Sequence, residues 1–233
     1  MTVLDIQRRL KALGHDLGKS GAAKDGVDGD FGGKSQAALS LKPTTGAPKP
    51  LPTAGVSAVP AAWMPAAKVD RIIVHWTAGG HKASALDTEH YHLLIEADGG
   101  IVRGKPSIDL NDRGGVKAGY AAHTLNCNTG SIGVSLCCMA GAVESPFKAG
   151  SAPMTREQWD ELPHVLAALC RRYGIPVTPK TVLSHAEVQG TLGIKQKGKW
   201  DIARLAFDPF VVGAQAVGDL FRKRAAALLE AAA

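Results

Sequence analysis

The chain has 233 residues, 45% hydrophobic and 21% charged, with a formal charge of +6 and a pI near 9.2. That length holds one good core with something smaller attached, and the composition excludes a disordered chain. A basic surface suits nucleic acid, anionic membranes or anionic wall polymers, but no arginine-rich run with interleaved aromatics favours nucleic acid, and no apolar stretch reaches the ~20 residues of a membrane span.

In chain order, Val3, Ile6, Leu10 and Leu13 recur at helical spacing and Gly14 closes the pattern. A polar loop follows, then a short helical stretch through Ala37, Ala38 and Leu39. Residues 43–60 are rich in Pro, Ala, Gly and Thr without periodicity, which is linker composition. The expected organisation is a small helical module at 1–42, a linker at 43–62, a main domain at 63–210 and a C-terminal amphipathic helix at 211–233. The N-terminus lacks a basic region followed by an apolar one, so no signal peptide is expected and synthesis in the cytoplasm is.

Within the main domain, KVDRIIVHWTAGG reads as a buried strand ending at a histidine. HYHLLIEADGGIVRG reads as two strands joined at Asp98-Gly99-Gly100. SIGVSLCCMAG is another apolar run of strand length. TREQWDELPHVLAALCRRYG is a helix starting near Thr155 and ending at Gly174, with Pro163 expected to kink or split it. TVLSHAEV is a short strand delivering a second histidine. Interleaved strands and helices predict an α/β domain with a central mixed sheet flanked by helices. The four cysteines (Cys127, Cys137, Cys138, Cys170) show no C-x-x-C spacing and read as buried small hydrophobes.

His75 and His185 each follow a β-type run, and Asp201 lies sixteen residues after His185 in GKWDIARL. Two imidazoles and a carboxylate suit zinc and leave a fourth position for water, whose pKa the metal lowers to about 7. No compact ligand signature joins them, so a structural role for either histidine stays open on spacing alone.

Four blocks narrow this reading: RIIVHWTAGG, HYHLLIEADGGIVRG, AAHTLNCNTGSIGVSL and LSHAEV with GKWDIARL. With them, residues 63–210 resemble the zinc-dependent N-acetylmuramoyl-L-alanine amidases, whose fold phage amidase lysozymes and animal peptidoglycan recognition proteins share. The resemblance implies that His75, His185 and Asp201 bind Zn2+, that Tyr91 lies near the metal-bound water, and that Lys199 stabilises the oxyanion. It puts His123 beside the cleft as a substrate contact and lets Trp76, Thr77 and Asn128 line the groove. Some relatives carry a glutamate general base in the strand where this chain has Ser135, so the mechanism would lean on Tyr91, Lys199 and zinc. Glu96 and Glu187 are nearby acids at no matching position.

The front segment, with the Leu4, Gln7, Leu10, Leu13-Gly14 helix and the Asp28–Gly32 loop, anchored by Phe31, before a second helix, resembles a small peptidoglycan-binding module. Together these imply a phage or prophage endolysin that hydrolyses the bond between N-acetylmuramic acid and L-alanine, reaching the wall by release through another component. Bacterial peptidoglycan is the expected partner, with no nucleic acid, no stable membrane insertion and a monomeric state. The alternative is a non-catalytic peptidoglycan-binding protein, and filled ligand positions argue against it.

Overall fold

The computed structural model describes residues 2–12, 16–30, 34 and 58–231. Helix α1 (Val3–Ala12) opens on Thr2, whose hydroxyl and backbone N–H both bond Asp5. Leu10 and Leu17 are buried together under Ile6. Gln7 is buried beside them, and its Oε1 accepts from the N–H groups of Asp28 and Gly29 while its Nε2 donates to Asp28 and to the Asp30 carbonyl. One side chain thus ties the acidic loop to the helix. Leu13, Gly14, Phe31 and the expected stretch at Ala37–Leu39 lie outside the described residues.

The main domain is built on a five-stranded sheet: β1 (Arg71–Trp76), β2 (Leu93–Ile95), β3 (Ile101–Arg103), β4 (Ser131–Leu136) and β5 (Val182–Ser184). The strand order is β3-β2-β4-β1-β5. All neighbours are parallel except β3, which runs antiparallel to β2. The β2–β3 turn needs glycine, because Gly99 sits at φ +80 where a Cβ is strained, and Asp98 closes the turn by accepting from the Gly100 N–H.

Parallel central strands are covered on both faces, which explains the continuous burial of β4. On one face Ile72, Val74, Trp76, Val134 and Leu136 join the main core beneath α3 (Arg156–Tyr173) and α5 (Ala214–Glu230). On the other, Ile73 and Leu183 pack with Val188 of α4 (His185–Leu192) and with Cys127. Period-2 alternation sends His75 to this second face, at the carboxyl ends of the strands.

Three expectations change. Helix α3 runs unbroken through Pro163, for a specific reason. Proline cannot donate to the carbonyl four residues back, that of Trp159, and the Arg224 guanidinium of α5 donates to it instead at 3.0 Å. Helix α5 packs on the domain, with Val217, Phe221 and Ala225 fully buried in the main core. The boundary at 210/211 falls inside β7 (Asp208–Val212), which pairs with β6 (Arg204–Leu205). At the other end Val59 is fully buried and Ala61–Trp63 form a 3-10 turn, so the last residues of the expected linker belong to the domain.

A short helix, α2 (Ala85–His90), was not legible because its six residues bury no side chain and carry no periodicity. The reciprocal Ser84–Asp87 cap holds it. The four cysteines are buried and unpaired. Among the described residues no helix is long and apolar enough to cross a membrane.

Candidate metal centre

His75, near the end of β1, is completely buried. His185 is the first residue of α4, not the last of a strand. Ser184 caps that helix, with the Glu187 carboxylate accepting from both its N–H and its hydroxyl. Asp201 lies on the loop after α4, and its carbonyl accepts from the Ala186 N–H at 2.6 Å, which ties the loop to the helix start. Three segments separated by up to 126 positions meet here.

Nδ1 of His75 and Nδ1 of His185 each lie 3.1 Å from the same oxygen, Oδ2 of Asp201. The three donor atoms all fall within 4.8 Å of one another. Ligands at zinc distances of about 2.0–2.1 Å in a tetrahedron stand roughly 3.3 Å apart, so the spacing suits one shared small cation.

The outer ring nitrogens support the same conclusion. Gln196 donates through Nε2 to the Leu125 carbonyl at 2.8 Å, which turns its Oε1 toward Nε2 of His185 at 2.9 Å. His185 therefore carries its proton on Nε2 and bares Nδ1. Nε2 of His123 faces the Ser131 carbonyl at 3.4 Å, leaving its Nδ1 to accept from Nε2 of His75 at 3.2 Å. Thus His75 also bares Nδ1. The Thr124 hydroxyl adds a bond to Nδ1 of His123 at 2.8 Å.

Charge states agree with this donor set. Burial pushes the His75 pKa down to about 4, so the ring is neutral at pH 7. Burial alone would raise Asp201, but the adjoining imidazoles of His185 and His75 outweigh it and hold the carboxyl at about 2. A neutral His75 ring beside an ionised Asp201 carboxylate is the deprotonated state a divalent cation requires of its ligands.

An open cavity of about 720 Å3 adjoins the trio, lined in part by Tyr120, His123, Asn128, His185, Gln196 and Lys199. Lys199 is exposed there. Tyr91 caps the end of α2 with its ring 5.2 Å from that of His75. Burial, then the Asp201 charge, raises its phenol pKa, so it stays protonated at neutral pH.

The structure does not bring every expected residue to the groove. Trp76 points to the opposite face, buried in the main core with its ring 4.7 Å from Trp200, because successive strand residues alternate. Thr77 is half-buried beyond β1, with its Oγ1 occupied by the Gly79 N–H. Asn128 lines the cavity, but its Oδ1 accepts from the N–H groups of His123 and Thr124, so it shapes the loop. His123 is only 7% exposed and spends both ring nitrogens on protein groups, so it braces His75.

Sequence reading missed Gln196, Thr124 and Asn111. Asn111 receives His92 at 3.0 Å and bonds Ala121, and the Gly133 N–H donates to the other nitrogen of His92. Gly133 is the one local signal, since a Cβ there would stand 2.7 Å from the His123 ring.

Residues 65–202 match the N-acetylmuramoyl-L-alanine amidase family (Amidase_2), more than half of the chain. The chain belongs to this family. The amidase match contains all three donor residues and ends before α5. No curated protein matches the chain by sequence. Among solved structures the amidase is similar to the endolysine N-acetylmuramoyl-L-alanine amidase LysCS of Clostridium intestinale URNW, with 17% identity and a TM-score of 0.35 over 55% of this chain and 86% of that one. Similarity to the amidase LysC of the same organism is equal in identity and TM-score, over 55% of this chain and 88% of that one. For AmiD of E. coli, solved with anhydro-N-acetylmuramic acid-L-Ala-D-gamma-Glu-L-Lys, identity is 21% and TM-score 0.35 over 51% of this chain. This chain spans 48% of the AmiD chain.

Proposed function

We propose that this amidase is zinc-dependent, cleaves the amide bond between N-acetylmuramic acid and L-alanine in bacterial peptidoglycan, and serves as a phage or prophage endolysin. The observation that carries the reading is the convergence of two bared Nδ1 atoms and one carboxylate oxygen beside an open cavity, in a chain of this family. His75, His185 and Asp201 would hold the ion. Zinc, when bound, acidifies water and polarises a carbonyl.

In the hydrolysis, a water oxygen adds to the lactyl carbonyl carbon, the C–N bond breaks, and one water proton ends on the amine of L-alanine. Tyr91, protonated at neutral pH, can donate a hydrogen bond to the oxygens that change charge. Lys199, exposed on the cavity wall, sets a cation where the carbonyl oxygen becomes negative. Asp201 stays ionised and serves as a ligand, not as a base.

The endolysin role rests on the sequence, through the wall-binding resemblance of residues 1–42 and the +6 charge. The purely binding alternative is not favoured, since binders lack the need for a complete donor trio. Purified sacculi digested with and without a chelator test the reading, with products resolved by mass. Stem peptides beginning at L-alanine are expected, and chelation or His185→Ala abolishes them. Tight wall binding with no released peptide overturns the enzyme reading.

A further inference from the structure

The cavity beside the trio has two unlike walls. Val116 and Leu125 line it at 39% and 45% exposure, together with the half-buried Tyr120, so one wall is apolar. Apolar side chains left open to water around a concavity mark a binding surface. The other wall carries exposed Lys197 and Lys199, and among the described residues no acidic side chain lines the cavity. Gln196 joins the two walls, since its Nε2 donates to the Leu125 carbonyl at 2.8 Å while its backbone N–H donates to Oε1 of Gln189. Lys197 follows at φ +53, a left-handed conformation that suits glycine or asparagine and strains a lysine. Its neighbour Gly198 takes the same conformation, at φ +71, without strain. A lysine kept at a strained turn on a cavity wall points to a use for its charge.

We infer that this cavity receives the peptide arm of the substrate and that Lys197 selects an arm with a free carboxylate, which makes Lys197 a specificity-determining residue. The identity of the two arms rests on the amidase reading. In the bond to be cleaved, the carboxyl of N-acetylmuramic acid is already consumed in the amide. The sugar arm is therefore uncharged, and only the peptide arm can bring carboxylates. The apolar wall suits the methyl group of alanine and the methylenes that follow it, and the lysine wall suits an anion. A carboxylate accepts a charge-assisted hydrogen bond from an ammonium, whereas its amide offers a neutral oxygen and sets N–H donors beside a cation that accepts nothing. Lys197 acts on which peptide is held, and Lys199 keeps its role at the carbonyl oxygen.

Two peptides test this on the full chain: L-alanyl-γ-D-glutamyl-L-lysinamide, and the same peptide with its glutamate carboxylate amidated, so that they differ by one carboxylate. Calorimetric titration is expected to show the acid binding about five- to tenfold more tightly than its amide, by a margin that shrinks as salt is added. In Lys197→Asn the margin disappears and affinity for the amide is unchanged. Tm is unchanged or higher in that variant, because asparagine tolerates the left-handed turn. Lys197→Arg retains the margin. Equal affinities of the wild-type chain for the two peptides, no binding of either, or a margin that survives in Lys197→Asn overturns the assignment. Stem-peptide release from sacculi by a protein that binds both peptides alike leaves the amidase reading standing and sinks the role of Lys197. A margin lost in Lys197→Asn, with no release from sacculi by the wild-type chain, does the reverse.

Discussion

Helix α4 (His185–Leu192) lies between two buried polar clusters that share residue types and differ in purpose. On one side Glu187 meets Arg222 of α5 through bonds of 2.8 and 3.1 Å, and Arg222 also donates to the Val182 carbonyl and to Asp219. The one buried carboxylate there is paired with the one buried guanidinium. On the other side His75, His185 and Asp201 present three acceptor atoms toward one point, with their outer nitrogens bonded away from it. The first cluster is complete within the protein; the second would be completed by the cation proposed for it. Saturation against convergence is what separates a structural polar cluster from a functional one.

The largest expected effect comes from breaking the convergent cluster. Asp201→Ala lowers stem-peptide release by roughly a thousandfold or more, as loss of one member of a cooperating site does, and it removes bound zinc measured by metal analysis. Full activity with zinc retained would return Asp201 to a loop role. Breaking the saturated cluster should spare chemistry and cost stability. Arg222→Ala strands a buried carboxylate and lowers unfolding free energy by about 3–5 kcal/mol in denaturant melts. Glu187→Gln with Arg222→Met loses much less, because the charge is gone and the glutamine oxygen still accepts from Ser184. Equal losses in both variants would mean the ion pair is not what holds α5 to α4.

Acid probes the histidines on the functional side. Burial holds His75 and His92 at about 4, and His123 well below its ordinary value, so the unfolded chain takes up these protons first. The stabilisation they reflect is present above pH ~6.5 and is lost as pH falls from there toward 4. Melting temperatures of the metal-free protein should decline across that window, and a flat profile would contradict neutral buried rings. The smallest effect sharpens the role of the outer bonds. Gln196→Ala frees Nε2 of His185 and should weaken zinc affinity about ten- to a hundredfold in chelator competition, with little change in Tm. Unchanged affinity would reduce Gln196 to loop packing.

The trio was legible because strand-to-loop histidines and GKWDIARL matched a family pattern, and the geometry of His75 and His185 accords with it. The groove lining was less legible. Trp76 sits beside His75 in sequence, yet β1 turns it to the core, and His123 is taken up by His75 and Ser131. Gln196 had no signal among the lysines around it, because its role depends on a carbonyl 71 residues away.

By itself the sequence determined the helix limits at Thr155 and Gly174, the glycine turn at Gly99 and the alternation along the strands, since caps, turns and sheet faces are set by neighbours a few residues apart. Only the tertiary structure decided that Pro163 leaves α3 intact, that α5 belongs to the core, and which nitrogen each histidine turns inward. Those outcomes depend on partners brought together by the sheet, such as Arg224 at the Trp159 carbonyl and Gln196 at His185, and no local pattern encodes them.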